Sequence, residues 1–204
     1  EEMIMGLEKV KCGKIFFKQE EITGMSVKER CKRGIGYIPS DRYKRAILPG
    51  FSLKDNYLLG NQYKDSYARK GMLNQEYIEK KTKELMEKFD VRAVNGDQLI
   101  GALSGGNQQK LVLSREVDKD PDLILACQPV RGLDIGAIKF IHNVLLELRN
   151  QGKAVLLISA ELSDLFQLSD RIGVLYKGEM MSLQETEKYT TESISLLMAG
   201  KKGV

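Results

Sequence analysis

The sequence is short of the features that would take it out of the ordinary globular class. Its three cysteines, Cys12, Cys31 and Cys127, are an odd number without paired spacing. That argues against a disulfide framework or a zinc cluster and for a reducing compartment. The single histidine, His142, falls on a helical pattern and is expected as a surface or partly packed residue, not an acid–base group. No apolar run approaches the ~18–20 residues of a membrane-spanning helix, and the longest, around Ala154–Ala160, reads as a buried strand. Internal repeats are absent. Glu1 and Glu2 are acidic where a secretory leader is basic and then apolar. No initiator methionine precedes them, so the expectation is a processed or excised piece of a longer protein.

What is present is a balanced composition. The chain has 204 residues, of which 42% are hydrophobic and 29% charged, enough apolar material to offset the ordering entropy of most of it. A chain of this size buries roughly 70% of its unfolded surface. The net charge of +4 is unevenly placed. Lys28, Arg30, Lys32, Arg33, Arg42, Lys44 and Arg45 face only Glu29 and Asp41 between positions 28 and 45. This cluster reads as a solvated face, or else as a surface for phosphate or nucleic acid, although no aromatic stacking pattern accompanies it.

Hydrophobic periodicity and capping signals order the elements. Lys14–Phe17 is a short β-prone run. Ser26–Glu29 and Ser52–Asp55 each have the form of a capping box and predict helix starts, the first helix ending near Gly34. Ile35–Ile38 reads as a strand stopped by Pro39. Residues 61–73 are polar and irregular, and Asn74 is placed to cap a helix over Gln75–Asp90. Another helix begins at Ser104 and reaches about Val117. Then follow a strand at Leu123–Cys127, a helix with Ile138, Ile141, Leu145 and Leu148 on one face, and a strand at Ala154–Ile158. A short helix from Glu161, strands at Ile172–Tyr176 and Glu179–Leu183 around a Lys177-Gly178 turn, and a helix through Ile194–Met198 complete the chain. Strand–helix alternation with continuously apolar strands implies an α/β fold with a mostly parallel sheet. The helical stretch 52–117 reads as a lobe inserted into a core of 1–51 and 118–204.

The strongest chemical feature is Leu103-Ser104-Gly105-Gly106-Asn107-Gln108-Gln109-Lys110. A serine at a helix start supplies a hydroxyl, two glycines let backbone amides approach an anion, and the helix dipole favours that anion. The alternative is a glycine-rich cap without a ligand.

This octapeptide resembles the signature of the ATP-binding-cassette family. Leu123–Gln128 with Pro129 lies where that family has its Walker B strand, and Arg131-Gly132-Leu133-Asp134 resembles its D-loop. Asp170-Arg171-Ile172, Val174-Leu175 and Gly178 resemble the strand that follows the switch loop. Gly36–Arg42 and Gln128–Ala137 are similar to the second cassette of tandem importer ATPases for simple sugars and nucleosides. The resemblance covers essentially the whole chain and implies a P-loop NTPase-like fold. It also implies two fused cassettes on the cytosolic face of a membrane permease, served indirectly by a solute-binding protein that with the permease sets the solute. ATP and Mg2+ are then the cofactors of the full-length protein, with none expected on this fragment and no nucleic acid as partner. The lobe would dock on the permease, and the loop from Asp41 to Phe51 would connect it to the nucleotide site.

Set against the family pattern, several parts are missing or altered. No P-loop is present, since Gly6 to Gly13-Lys14-Ile15 has the wrong spacing and lacks the hydroxyl that holds Mg2+. The expectation is that the first strands and the loop lie upstream of Glu1 and that Glu1–Leu7 continues the helix after it. By resemblance, Cys127 replaces the Walker B aspartate, Gln128 the adjacent glutamate, Ala160 the switch histidine and Ser40 the Q-loop glutamine. A thiol is a poor ligand for a hard cation, and an amide is no general base. Ser104, Gly105, Gly106, Asn107 and Gln108, with Asp134, remain as the parts that act on nucleotide held by the opposite cassette. The expected function is therefore a cassette that completes its partner's ATP site while its own site is degenerate, the fragment alone being inactive. The competing readings are a non-catalytic dimerisation or regulatory scaffold and a cassette acting on DNA or ribosomes.

Overall fold

A computed structural model describes residues 1–201, which divide into two compact units meeting in sequence at Ile158 and Ser159. In the first, α1 (Glu2–Met5) leads to a hairpin of β1 (Phe16–Phe17) and β2 (Glu20–Glu21), then α2 (Val27–Lys32), β3 (Ile35–Ile38) and α3 (Arg42–Arg45). Next come α4 (Leu53–Leu58), a hairpin of β4 (Ala68–Arg69) and β5 (Met72–Leu73), α5 (Gln75–Lys88), a 3-10 turn at Ile100–Ala102 and α6 (Gly105–Val117). The unit closes with β6 (Leu123–Cys127), α7 (Ile135–Asn150) and β7 (Ala154–Ile158). The second unit comprises α8 (Leu162–Leu168), β8 (Arg171–Tyr176), β9 (Glu179–Glu185) and α9 (Thr191–Met198), with β8 and β9 forming an antiparallel hairpin.

The helix starts follow the sequence signals. Ser26 and Ser52 form reciprocal capping boxes with Glu29 and Asp55, and the Asn74 side chain accepts the Tyr77 amide. Each satisfies amide donors that the first helical turn leaves without partners. Residues 61–73, expected to be irregular, contain the β4–β5 hairpin. Its turn holds Lys70 and Gly71 at φ 51° and 81°, the left-handed pair that a tight hairpin requires.

The parallel sheet has three strands in the order β3-β6-β7, with Ile35 opposite Leu123 and Leu123 opposite Ala154. Because side chains alternate, Ile35, Leu125 and Cys127 point to one face, where they pack with Met5 and Ile22. On the same face of the outer strand β7, Leu156 and Ile158 are exposed. α6 packs against β3 and α7 as well as α4 and α5. Asn56, fully buried, fastens the preceding loop: its Oδ1 accepts from Leu48 N at 2.8 Å and its Nδ2 donates to Leu48 O at 3.1 Å and Ser52 O at 2.9 Å.

Two residues differ from expectation. His142 is 5% exposed on the inward face of α7, because position 142 falls next to Ile141 and Leu145 on the side that meets the core. Arg30, counted among the solvated cations, is 1% exposed. Its guanidinium donates to Met25 O, Met3 O, Ile4 O and Thr23 O at 2.6–3.0 Å. It thereby closes the carboxyl end of α1, whose last carbonyls have no partners inside so short a helix.

A second buried charge is Glu116 on α6, whose Oε1 accepts from Lys119 Nζ at 2.7 Å and Arg115 Nε at 3.1 Å. Burial acts to raise its pKa, but the Lys119 and Arg115 charges and their hydrogen bonds outweigh it, and the net direction is downward. A carboxyl group with a lower pKa folded than unfolded stabilises the protein above the unfolded value, about 4.3, and loses that contribution as pH falls through the folded value. Thermal midpoints are therefore expected to fall as pH drops below the ordinary carboxyl range, from about pH 4.3 downward. The Glu116→Gln variant, less stable at neutral pH by about 3 kcal/mol, should show a flatter fall. An unchanged acid slope in that variant would remove Glu116 from the explanation.

Candidate functional site

The carboxyl ends of β3 and β6 lie side by side, the usual place for ligands in open parallel sheets. Ser40, two residues beyond β3, donates its hydroxyl to Glu1 Oε1 at 2.9 Å. Cys127 ends β6, is 1% exposed and lies near the same carboxylate. Burial first, and then the neighbouring Glu1 carboxylate, push the Cys127 thiol far above its ordinary pKa, so it stays protonated. Tyr37 adds a phenol whose pKa is raised by burial, Glu1 and Cys127. Glu1 was expected only as helix continuation, and its place in this cluster has no signature in the sequence.

These groups do not fit Mg2+. A hard cation takes six or more oxygens, whereas a neutral thiol here occupies the strand end. Among the described residues no three His, Cys, Asp or Glu side chains converge as a metal site. Gln128 follows at φ 48°, with its amide donating to Ile158 O at 2.7 Å and its carbonyl accepting from Arg131 N at 3.2 Å. A non-glycine residue in the left-handed region costs on the order of 1 kcal/mol, and the backbone bonds on both sides hold it there. Its side chain carries no charge to accept a proton. In the second unit, Ala160 precedes α8 and offers only a methyl group.

The signature forms a different group, at the start of α6. Ser104 is the exposed N-cap, and its Oγ accepts from Asn107 N at 3.4 Å and Asn107 Nδ2 at 3.0 Å. Its hydroxyl hydrogen meets no acceptor among the described residues. The amides of Gly105 and Gly106 have no partner inside the helix. A side chain at either glycine would crowd its neighbours. A Cβ at 105 would lie 2.8 Å from Arg42 Nη2, and one at 106 would lie 3.0 Å from Ala137 Cβ and 3.3 Å from Asp134 Oδ2. The two glycines thus serve close approach within the protein as well as exposure of the backbone.

The other signature residues turn inward. Asn107 Oδ1 accepts from Arg92 N at 2.9 Å, which engages both ends of its amide. Gln108, expected at the nucleotide, is 1% exposed. Its Nε2 donates to Leu103 O at 3.1 Å and Ile100 O at 3.3 Å, and its Oε1 accepts from Arg42 Nε at 3.1 Å. Gln108 therefore braces the turn ahead of Ser104. Asp134 caps α7 by accepting the Ala137 amide at 2.9 Å. It sits beside Gly106, so the starts of α6 and α7 share one surface. Lys110 Nζ reaches Asp90 Oδ2 at 2.6 Å and Asp90 O at 3.0 Å, tying α6 to the end of α5. Arg42 belongs to a motif visible in the sequence, but nothing there indicates that it would touch Gly105.

Comparison with known proteins gives the family. Residues 2–131 match the family described as ABC transporter. The chain is 41% identical over 199 residues to the guanosine import ATP-binding protein NupO of Bacillus subtilis, covering 98% of this chain and 39% of that protein. It is 38% identical over 197 residues to the nucleoside import ATP-binding protein NupA of Lactococcus lactis, covering 97% and 39%. It thus spans about two fifths of the length of these relatives. In fold it is similar to the ATP-binding cassette MJ0796, whose dimer was solved in a post-hydrolysis state with ADP and phosphate. The TM-score is 0.75 at 22% identity, over 92% of this chain and 79% of that one. The chain belongs to the ATP-binding domains of the ABC transporter family.

Proposed function

We propose that this chain is the second cassette of an importer ATPase for a nucleoside or simple sugar, and that it completes the ATP site of its partner cassette while its own site does not turn over. The observation that carries this reading is the contrast between the two groups of residues. Cys127 is buried and protonated where a metal-holding carboxylate is needed, whereas Ser104 is exposed with its hydroxyl uncommitted. The similarity to proteins named for guanosine and nucleoside import supports the class of solute.

In this reading the Ser104 hydroxyl and the Gly105 and Gly106 amides face the phosphates held by the opposite cassette. The positive end of α6, a helix of 13 residues, favours those charges. Asp134 keeps the start of α7 in place beside them. Bound ATP with Mg2+ supplies the phosphoanhydride whose hydrolysis drives transport. The partners are the other cassette of the same polypeptide, the permease subunits and, through them, a solute-binding protein. Among the described residues no helix is long and apolar enough to cross a membrane; in this scheme the cassette attaches through the permease at the cytosolic face. The lobe over 52–117 is the docking surface for the permease in this scheme.

The second reading, a scaffold that only dimerises, is favoured by Cys127, Gln128 and Ala160. Trapping of radiolabelled nucleotide in the intact importer separates the two. One nucleotide hydrolysed and occluded per two-cassette polypeptide is expected, with occlusion dependent on Ser104. Two equivalent hydrolysing sites would refute a degenerate own site, and occlusion indifferent to Ser104 would favour the scaffold.

A further inference from the structure

The chain from Ser40 to Ile47 runs between the two groups of residues just described. At one end Ser40 is hydrogen-bonded to Glu1, and Arg45 forms an ion pair with Glu2. Asp41 caps α3 by accepting Lys44 N at 3.1 Å, and Arg42 O accepts from Ala46 N at 2.8 Å and Ile47 N at 2.9 Å. Ala46 and Ile47 are buried, so the backbone of Arg42 is held on both sides. Its side chain leaves this segment and reaches α6. Nε bonds to Gln108 Oε1, and Nη2 takes up the space beside Gly105, 2.8 Å from where a Cβ at 105 would stand.

A cation at the start of a helix is disfavoured by the helix dipole, and among the described residues Arg42 has no carboxylate partner. Charge complementarity within the chain therefore does not account for its place. The hydrogen bond to Gln108 and the space left by Gly105 do. Gln108 in turn holds the carbonyls of Ile100 and Leu103, the turn that delivers Ser104. A displacement of the 40–47 segment would thus reach the first turn of α6 through one side-chain pair.

We propose that Arg42 is a positioning residue of the signature: acting through Gln108 and against Gly105, it sets the orientation of Ser104 and the first amides of α6 according to the state of the 40–47 segment. The inference rests on the reading that this face completes the partner's ATP site. Arg42 acts through other groups, so its loss should misplace the donors without removing them. Misplacement by about 1 Å is enough to cost up to ~100-fold in rate.

The test uses the intact importer reconstituted with its permease, comparing Arg42→Ala, Arg42→Gln and Arg42→Lys. Arg42→Ala and Arg42→Gln are expected to lower kcat for ATP hydrolysis about 10- to 100-fold. KM for ATP should stay within about twofold, the pattern of an interaction made only in the transition state. Arg42→Lys, which keeps a donor for Gln108, should recover at least about fivefold over Arg42→Ala. Thermal midpoints should stay within about 3 °C of the parent. Unchanged kcat in both Arg42→Ala and Arg42→Gln would overturn the proposal, as would a loss that tracks a fall in thermal midpoint. Ser104→Arg is assayed in parallel. If it hydrolyses ATP normally, the underlying reading fails; if it is inactive while the Arg42 variants are not, only the role of Arg42 fails.

Discussion

Ser104→Arg in the intact importer is expected to lower ATP hydrolysis and coupled transport at least ~100-fold, the scale seen when a preorganised donor to developing charge is lost. Three effects act together at this position. The hydroxyl donor is removed, a long side chain is placed over the Gly105 amide, and the surface where the partner's nucleotide is to be received is filled. The chain itself should survive the change. Ser104 is exposed, and its capping bonds to Asn107 are 3.4 and 3.0 Å, so loss of the cap costs about 1 kcal/mol. Ser104→Ala removes the donor without the bulk and should retain more activity than Ser104→Arg. Hydrolysis assays with thermal melts of the same preparations check both statements. Full activity in a folded Ser104→Arg protein would end the proposal that this face completes an ATP site.

Arg30→Met is expected to destabilise the chain by about 4 kcal/mol, and Arg30→Lys by about 2 kcal/mol, from the cost of leaving buried acceptors without donors. The buried guanidinium serves four backbone carbonyls, from Met3, Ile4, Thr23 and Met25. Methionine fills a similar volume and supplies no donor. Lysine supplies an ammonium, but it cannot reach carbonyls on both sides as the planar fork does. The loss should appear as a lower denaturant midpoint with unchanged slope, the mark of altered stability without altered compactness. A change below about 1 kcal/mol would show that water takes over these carbonyls and that the α1 end is not held by Arg30.

Where a feature depends on neighbouring residues, it was readable in advance. Ser26 with Glu29 and Ser52 with Asp55 carry their capping partners three positions away, so helix starts are written locally. The apolar run at 123–127 is a strand covered on both faces, as its continuous apolar character suggests. The run at 154–158, expected as a buried strand, is instead an outer strand with Ala154, Leu156 and Ile158 exposed on one face. The β4–β5 hairpin was missed because Lys70-Gly71 is a weaker turn signal than Asn-Gly, and two-residue strands carry no alternation to detect. His142 was misplaced because a polar residue at the border of an apolar stripe does not declare which way the helix is rotated.

The sequence by itself determined the order of the longer helices and strands, the α/β class, the family resemblance and Ser104 at a helix start, all properties of short windows. Only the tertiary structure decided what the side chains do. Arg42 meets Gln108 from 66 residues away, Glu1 meets Ser40 from 39 residues away, and Asp134 comes to rest beside Gly106. The same holds for charge: Arg30 and Arg33 sit three positions apart on α2 and its cap, yet one is buried among carbonyls and the other pairs with Glu20 at 2.7 Å near the surface. Local sequence sets the backbone conformation, but hydrogen-bond partners and desolvation are set by what the rest of the chain brings to the same place.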